Sequence, residues 1–468
     1  MRILLVQTPS VENPSSPRVY PIGAVLLASR LKDEGHEVRV LDMNFHGGPF
    51  GALKEMLLDF CPEIAGFSLR NIDPLANKSA SYVPQFAAAV RMTAAVAPKA
   101  VIVAGGTGFT LFAERLMREL PEIRYGIRGE AERSFPALLK NINNPLAVDG
   151  LCVRKGEEIK AAPAAKNMDM AKYRPADMTV LDPSPYLEAV SYVPAMGIEG
   201  KRGCPFGCSY CVYPRLQGKR LRLRAPVYVV DEMEALHKEF GVERFHFTDP
   251  VLNNPKEHLE ALCGELVRRK LRLKWDGFLR EDLFDAKSAA LYEKAGCECF
   301  SFSPDGLCQE ALDALGKKIQ VRDILKTART AAKTEIMTVY HFMVNCPGES
   351  EKTKAGCAGL IERLYDLHCP KRNLGAVVLN NIRILPGTPM ERIAVERGVI
   401  SKGRDLLYPV YYNPPPLETF RHELETLNFR RNVFSWEGIP SPQPAPPSPP
   451  APLPKGEGFN KIGEGGVK

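Results

Sequence analysis

The sequence predicts an α/β protein built from two units, a doubly wound parallel sheet followed by a partial (β/α)6 barrel of TIM type. Three observations carry this. Two stretches of the 468-residue chain alternate short apolar strands with amphipathic helices. In both, the strands end in glycine or polar residues, where such sheets place their ligands. Between them lies a segment rich in Ala, Pro and Met, roughly 146–190, that reads as a linker. The length also exceeds what one core organises, so two or three domains are expected.

The first unit, 1–145, opens with the buried strand "RILLVQTP", followed by a helix over "YPIGAVLLASRLKDEG" that stops at Gly35. "HEVRVLDMN", "PEIAGFSLR" and "KAVIVAGG" are the next strands. "TLFAERLMREL" is a helix, "YGIRGEAE" a short strand with its turn, and "RSFPALLKNI" a closing helix. The strand ends carry Ser68, Arg70 and Asn71, then Gly105, Gly106 and Thr107, then Gly129 and Glu130. The second unit, 191–390, repeats the pattern through "RFHFTDPVLNN", "LKWDGFLRED", "CECFSFSPDG", "MTVYHFMVNCPGE" and "GAVVLNNIRILPGTPM". A C-terminal helical cap is expected over 391–437. The remainder, 438–468, holds nine prolines and almost no apolar mass, so a disordered tail, partly polyproline II, is expected.

Hydrophobic residues make up 45% of the chain and charged ones 25%, the balance of a globular protein. A net charge of +7 is small for this length and is no nucleic-acid signature. The basic run "PRLQGKRLRLRAP" lacks an aromatic stacking platform, so it reads as structural or as a partner for an anionic cofactor rather than an RNA surface. No apolar run is long enough to cross a membrane, and "MRILLVQTPS" reads as a strand rather than a signal peptide. Twelve cysteines, several isolated as at Cys61, Cys152, Cys263 and Cys357, point to free thiols in a reducing cytoplasm, packed as small core residues.

Three cysteines stand apart. In "KRGCPFGCSYCVYP", Cys204, Cys208 and Cys211 follow C-x3-C-x2-C with Tyr210 before the last. Zinc would want a fourth ligand, and the nearest pair is Cys297-x-Cys299; a thioredoxin-like reading of Cys208 and Cys211 lacks its surrounding fold. Three thiolates hold three irons of a [4Fe–4S] cluster and leave one open. The motif resembles that of the radical S-adenosylmethionine (SAM) superfamily. The resemblance implies that the open iron chelates SAM and that an electron from the cluster cleaves its sulfonium. It also implies SAM contacts at Tyr210, at Asp249 and Asn253 of "FHFTDPVLNNP", and at Ser303 and Asp305 of "FSFSPDG". In "HFMVNCPGES" Asn345 stands where members often have Gly.

"IRILPGTPMERIAVERGVI" resembles the sixth-strand segment of those members that carry a cobalamin-binding domain, and "VIVAGGTGFT" and "GIRGEAERSFPALL" resemble later strands of that Rossmann-like domain. The resemblance then implies cobalamin at Ser68, Arg70, Asn71, Gly105, Gly106, Thr107, Gly129 and Glu130. A nicotinamide cofactor is the competing reading, but no G-x-G-x-x-G follows the first strand. No D-x-H-x-x-G supplies a histidine to cobalt either. Arg70 of "SLRNID" is the candidate for the lower face of the ring, since a guanidinium has no lone pair to donate; a salt bridge to Asp73 is its other reading. What the family implies is a cobalamin-dependent radical SAM methyltransferase, passing methyl from SAM via methylcobalamin to a carbon of a small-molecule or natural-product substrate. A polar variant resembles the tryptophan-methylating branch. Ring rearrangement or cyclisation with the same cofactors, and a non-catalytic cobalamin- or SAM-binding protein, are the alternatives. An electron donor such as flavodoxin or ferredoxin is implied as partner.

Overall fold

Strand β1 (Arg2–Gln7) is the centre from which the first sheet grows, because five of its six residues are buried. In the computed structural model the described residues are 1–10, 18–45, 47–75, 78–187, 193–428 and 433–435; the proline-rich tail expected over 438–468 lies outside them. β1 pairs in parallel with β2 (Glu37–Asp42) on one side and β3 (Ile64–Ser68) on the other. β4 (Val101–Gly105) and β5 (Tyr125–Ile127) continue the parallel run. Helices α1 (Ile22–Asp33), α2 (Pro49–Phe60), α3 (Val83–Val96), α4 (Thr107–Glu119) and α5 (Ala131–Lys140) supply the crossovers. α2 and α3 bury Leu53 and Leu57, and Phe86 and Val90, in one core with Phe67 of β3.

The segment expected to be a linker begins with structure instead. β6 (Leu151–Lys155) and β7 (Glu158–Ala161) form an antiparallel hairpin that extends the first sheet to seven strands, in the order β2-β1-β3-β4-β5-β6-β7. Gly156, at φ 62°, makes the turn. Leu151, Cys152 and Val153 are buried there, so the first unit extends past residue 145. Among the isolated cysteines, Cys61 departs from the core reading: it is exposed, at the left-handed end of α2.

The second sheet begins with β8 (Met196–Ile198). A two-stranded ribbon, β9 (Lys201–Arg202) against β10 (Arg222–Leu223), closes the cysteine loop. β11 (Arg244–Phe247), β12 (Lys274–Leu279), β13 (Cys297–Asp305), β14 (Met337–Met343) and β15 (Leu374–Asn380) then follow in sequence order, all parallel. The expected helical cap also contains strands. β17 (Tyr411–Tyr412) pairs with β16 (Ile382–Arg383), which precedes the cap, and β18 (Val433–Ser435) adds a seventh strand beside β15. Six parallel units with an open side are therefore present, with one more strand on the free edge. Among the described residues no helix is long and apolar enough to cross a membrane.

Candidate functional site

The cysteine loop is fixed at both ends by backbone. The Cys204 N–H donates to Gly218 O at 3.0 Å, and Gly203, at φ 92°, lies where a Cβ would meet Arg220 O at 2.1 Å. In the middle, Ser209 N donates to Leu315 O and Met390 N to Ser209 O, both at 2.9 Å. Burial pushes the thiols of Cys204 and Cys208 up, and that of Cys211 to about 12. Lys317 and Arg280 oppose that shift at Cys204 and Cys208. Arg280 is held over the Phe206 ring at 4.0 Å and donates to Lys317 O. The three sulfurs are not among the described groups that converge within 4.8 Å, as ligands of one ion must. A cubane cluster with a thiolate at each of three corners suits such a spread donor set, and a mononuclear zinc does not.

The residues expected around SAM divide into two groups. The Tyr210 hydroxyl donates to Asp305, whose carboxylate also takes the Lys317 ammonium at 2.6 Å. Lys317 Nζ reaches Ser303 O at 2.7 Å as well. Tyr210, Ser303 and Asp305 therefore come together at the cysteine loop. Asn253 presents no free side chain there, and Asp249 is tied through Oδ1 while its buried Oδ2 has no hydrogen-bond partner. Asp249 accepts the N–H groups of Gly200 and Lys201 at 2.8 and 3.1 Å, and burial lifts it to about 6. Asn253 is paired in both directions with the backbone of Arg280. Both carboxamide and carboxylate are inside the protein, holding the ends of neighbouring strands in register. Asn345, at φ 57°, takes the left-handed conformation that a glycine would adopt freely.

A cavity of about 380 Å³ opens between the two sheets. All eight residues expected on the first unit, from Ser68 to Glu130, line it. From the barrel come Glu199, Arg202, Tyr213, Gln217, His246 and Thr248. Its inner end is apolar, between Leu5, Gly66, Val103, Ile127 and Phe135. Glycines keep it open. A Cβ on Gly66 would lie 2.8 Å from Leu5 and 3.1 Å from Phe135, and one on Gly106, at φ 100°, would lie 2.6 Å from Leu69 O. A slot with an apolar end and a glycine-lined polar mouth fits a large group with a nucleotide tail, which is what a corrinoid presents. Arg70 is exposed at this mouth. Its expected partner is taken: Asp73 pairs with Arg383 at 2.9 Å. Burial raises the Tyr213 hydroxyl, two residues past Cys211, and the Arg70 charge opposes that rise.

Glu130 lines the cavity, yet its carboxylate is spent on protein. It takes Arg222 at 2.6 Å, stands 3.5 Å from Arg202 and accepts Met168 N at 2.5 Å. Arg202 reaches on to Glu132 and Glu199 at 2.6 and 2.8 Å. The basic run is thus partly internal: Arg222 is in this network, and Arg224 pairs with Glu232 at 2.6 Å and stacks over Tyr173 at 3.9 Å.

The barrel lumen carries residues that sequence reading missed. His246 Nδ1 lies 2.6 Å from Asp276 Oδ1. The Phe278 ring stands edge-on between His246 and His341, at 6.3 and 5.4 Å. Burial lowers His341 to about 4, so it is neutral. A signal was present: His246 sits between Phe245 and Phe247, and His341 between Tyr340 and Phe342. In a barrel strand, a polar residue between two helix-facing aromatics points to the lumen.

A B12 binding domain model matches residues 14–139 and a Radical SAM superfamily model residues 198–355. The chain is 25% identical over 361 residues to an uncharacterised methyltransferase of Pyrococcus horikoshii, covering 75% of this chain and 76% of that one. It is 28% identical over 334 residues to an anaerobic magnesium-protoporphyrin IX monomethyl ester cyclase of Synechocystis, covering 68% and 63%. The solved structure of the radical SAM methyltransferase TsrM from Kitasatospora setae, with cobalamin and a [4Fe–4S] cluster bound, superposes with a TM-score of 0.70 at 25% identity, covering 85% of this chain and 78% of that one. With both matched domains meeting at one cavity, the chain belongs to the branch of the radical SAM superfamily that carries an N-terminal B12-binding domain.

Proposed function

We propose that this protein is a cobalamin-dependent radical SAM methyltransferase that delivers a methyl group to a carbon of a small molecule. The observation that carries the reading is the single cavity that joins the strand ends of the B12-binding domain to the barrel beside the cysteine loop. When bound, the cluster with SAM and the cobalamin supply the methyl group and the electron chemistry. The chain supplies position. Cys204, Cys208 and Cys211 hold the cluster, and the hydrogen bond from Tyr210 to Asp305 sets the loop against β13. Ser303 and Asp305 flank the SAM position. Arg70, at the cavity mouth, would meet a bound cobalamin without offering it a lone pair. The substrate enters the lumen between His246, Phe278 and His341. There the His246–Asp276 pair, at 2.6 Å, is placed to accept a substrate proton, while neutral His341 hydrogen-bonds without adding charge. A one-electron donor of the flavodoxin or ferredoxin type serves the cluster from outside.

The test is anaerobic incubation of the reconstituted protein with reductant, methyl-deuterated SAM and a small-molecule extract of its host. The expected result is deuteromethyl label in one small molecule, with S-adenosylhomocysteine formed alongside. A cyclised or ring-rearranged product carrying no label would instead place the chain with its cyclase relative.

A further inference from the structure

We propose that Cys308, Cys357 and Glu349 form a second metal site, for a soft divalent cation such as zinc, at the rim of the barrel and apart from the cluster loop. The two sulfurs and a carboxylate oxygen lie within 4.8 Å of one another. They arrive from three places in the chain: Cys308 from the turn after β13, Glu349 from the loop after β14, and Cys357 from the first turn of helix Lys354–His368. Both thiols are buried. One Glu349 oxygen accepts Cys346 N at 3.2 Å; the other is buried and has no partner. An orphaned carboxylate oxygen against two buried thiols is costly unless a cation or a proton completes it.

The loop is shaped to bring the carboxylate there. Gly348, at φ 100°, lies so close to the Cys308 turn that a Cβ would meet Glu310 O at 2.3 Å. Sulfur and carboxylate oxygen are donors that zinc accepts together, and three protein ligands leave one position for solvent. On binding, each thiol gives up its proton to the medium; the two thiolates balance the charge of the dication, and the carboxylate completes the set and leaves the site with one net negative charge. The ion would tie the β13 and β14 turns together only three residues from Asp305, which holds Tyr210. Its role is therefore to brace the wall of the SAM site rather than to react.

The experiment uses the full chain with its cluster reconstituted, equilibrated with zinc alone and then freed of unbound metal. Elemental analysis is expected to give one zinc per chain beyond the cluster iron. X-ray absorption at the zinc edge, which iron does not obscure, is expected to show at least two sulfur neighbours at about 2.3 Å. Cys308→Ser, Cys357→Ser and Glu349→Gln should each lose most of the zinc while keeping the cluster's iron and sulfide. The parent spectrum decides the matter even where a variant fails to fold. No retained zinc, zinc bound without sulfur, or zinc unaffected by Cys308→Ser together with Cys357→Ser would overturn the proposal. So would peptide mapping that finds Cys308 and Cys357 joined as a disulfide in anaerobically purified protein.

Discussion

Burial raises the thiols of Cys204, Cys208 and Cys211, and a bound cluster would favour their thiolates. Alanine at any one of them is expected to remove most of the iron and acid-labile sulfide after anaerobic reconstitution, with the circular dichroism of the fold unchanged; full retention in all three variants would refute the assignment. Arg70 offers a test that does not depend on turnover. Its neighbour Asp73 is committed to Arg383, which leaves the guanidinium at the cavity mouth. With Arg70 beneath the ring, as expected from the sequence, Arg70→His would bring an imidazole to its lower face. Electron paramagnetic resonance of the cob(II)alamin form should gain nitrogen superhyperfine splitting that the parent lacks, and splitting already present in the parent would contradict an unligated lower face. Glu281 gives a pH dependence. It is 2% exposed, both its oxygens lack partners, and burial raises it to about 7, against the opposing charges of Lys317 and Arg280. The folded pKa is above the ordinary one, so its stabilisation is complete below about pH 4.5 and is lost as pH rises through about 7. In Glu281→Gln that loss disappears. The variant should gain on the parent between about pH 5 and pH 8, by up to about 3 kcal/mol in urea unfolding. A gap between the two that is constant with pH would exclude a neutral buried acid.

The elements around the site differ in how far the sequence discloses them. Every strand-end residue proposed on the first unit faces the cavity, because a parallel sheet with right-handed crossovers puts all its carboxyl ends on one edge whatever side chains stand there. Side-chain direction within the barrel was less legible. Asp305 turns toward the cysteine loop through a left-handed residue, φ 68°, at its own position, while Asp249 turns in to cap the chain at Gly200 and Lys201. One residue of shift at a strand end reverses the face, and the local sequence does not encode that shift. The hairpin β6–β7 was hidden by its shortness, and β18 by its distance from the strand it joins. The cysteine ribbon was visible only as a basic run, and its partners come from far away: Glu130 and Glu132 lie at the start of α5. That network sets a prediction at this scale. Glu130→Ala leaves Arg222 without its carboxylate partner and weakens the hold on Arg202, inside a site where both are mostly covered. A loss of about 3–5 kcal/mol in urea unfolding is expected. Glu157→Ala, on the exposed turn of β6–β7, should change stability by less than about 0.5 kcal/mol and serves as the control.

Across the whole molecule, the cavity has meaning only while the two units keep their spacing, so the contacts that dock them matter as much as the residues that line it. One buried apolar cluster runs from the first sheet into the barrel, and polar contacts spread around the cavity add to it. Tyr20 N donates to Ala195 O at 2.9 Å on one side. The Glu130–Arg202–Arg222 network stands on another. On a third, Asp73 and Arg383 form a pair with side-chain exposures of 0% and 4%. Arg383 also donates to Ile384 O and Leu406 O, and Asp73 accepts Leu75 N at 2.9 Å, so both groups are held from behind as well as by each other. A pair this dry returns little net stability when whole, because desolvating two charges offsets most of their attraction. Broken on one side, it leaves a charge buried without a partner. Asp73→Asn should therefore cost about 3–5 kcal/mol, and the cost falls on the interface rather than on either core. The B12-binding unit and the barrel then lose their common transition, and anaerobic calorimetry should resolve two melting steps where the parent shows one. Replacing both partners distinguishes interface electrostatics from simple damage. In Asp73→Asn with Arg383→Met no charge remains to be stranded, and most of the lost stability and the single transition should return. If the double variant is as weak as Asp73→Asn alone, the loss comes from the turn at Leu75 that Asp73 also holds, and the coupling of the two units rests on their shared apolar cluster and the Glu130 network instead.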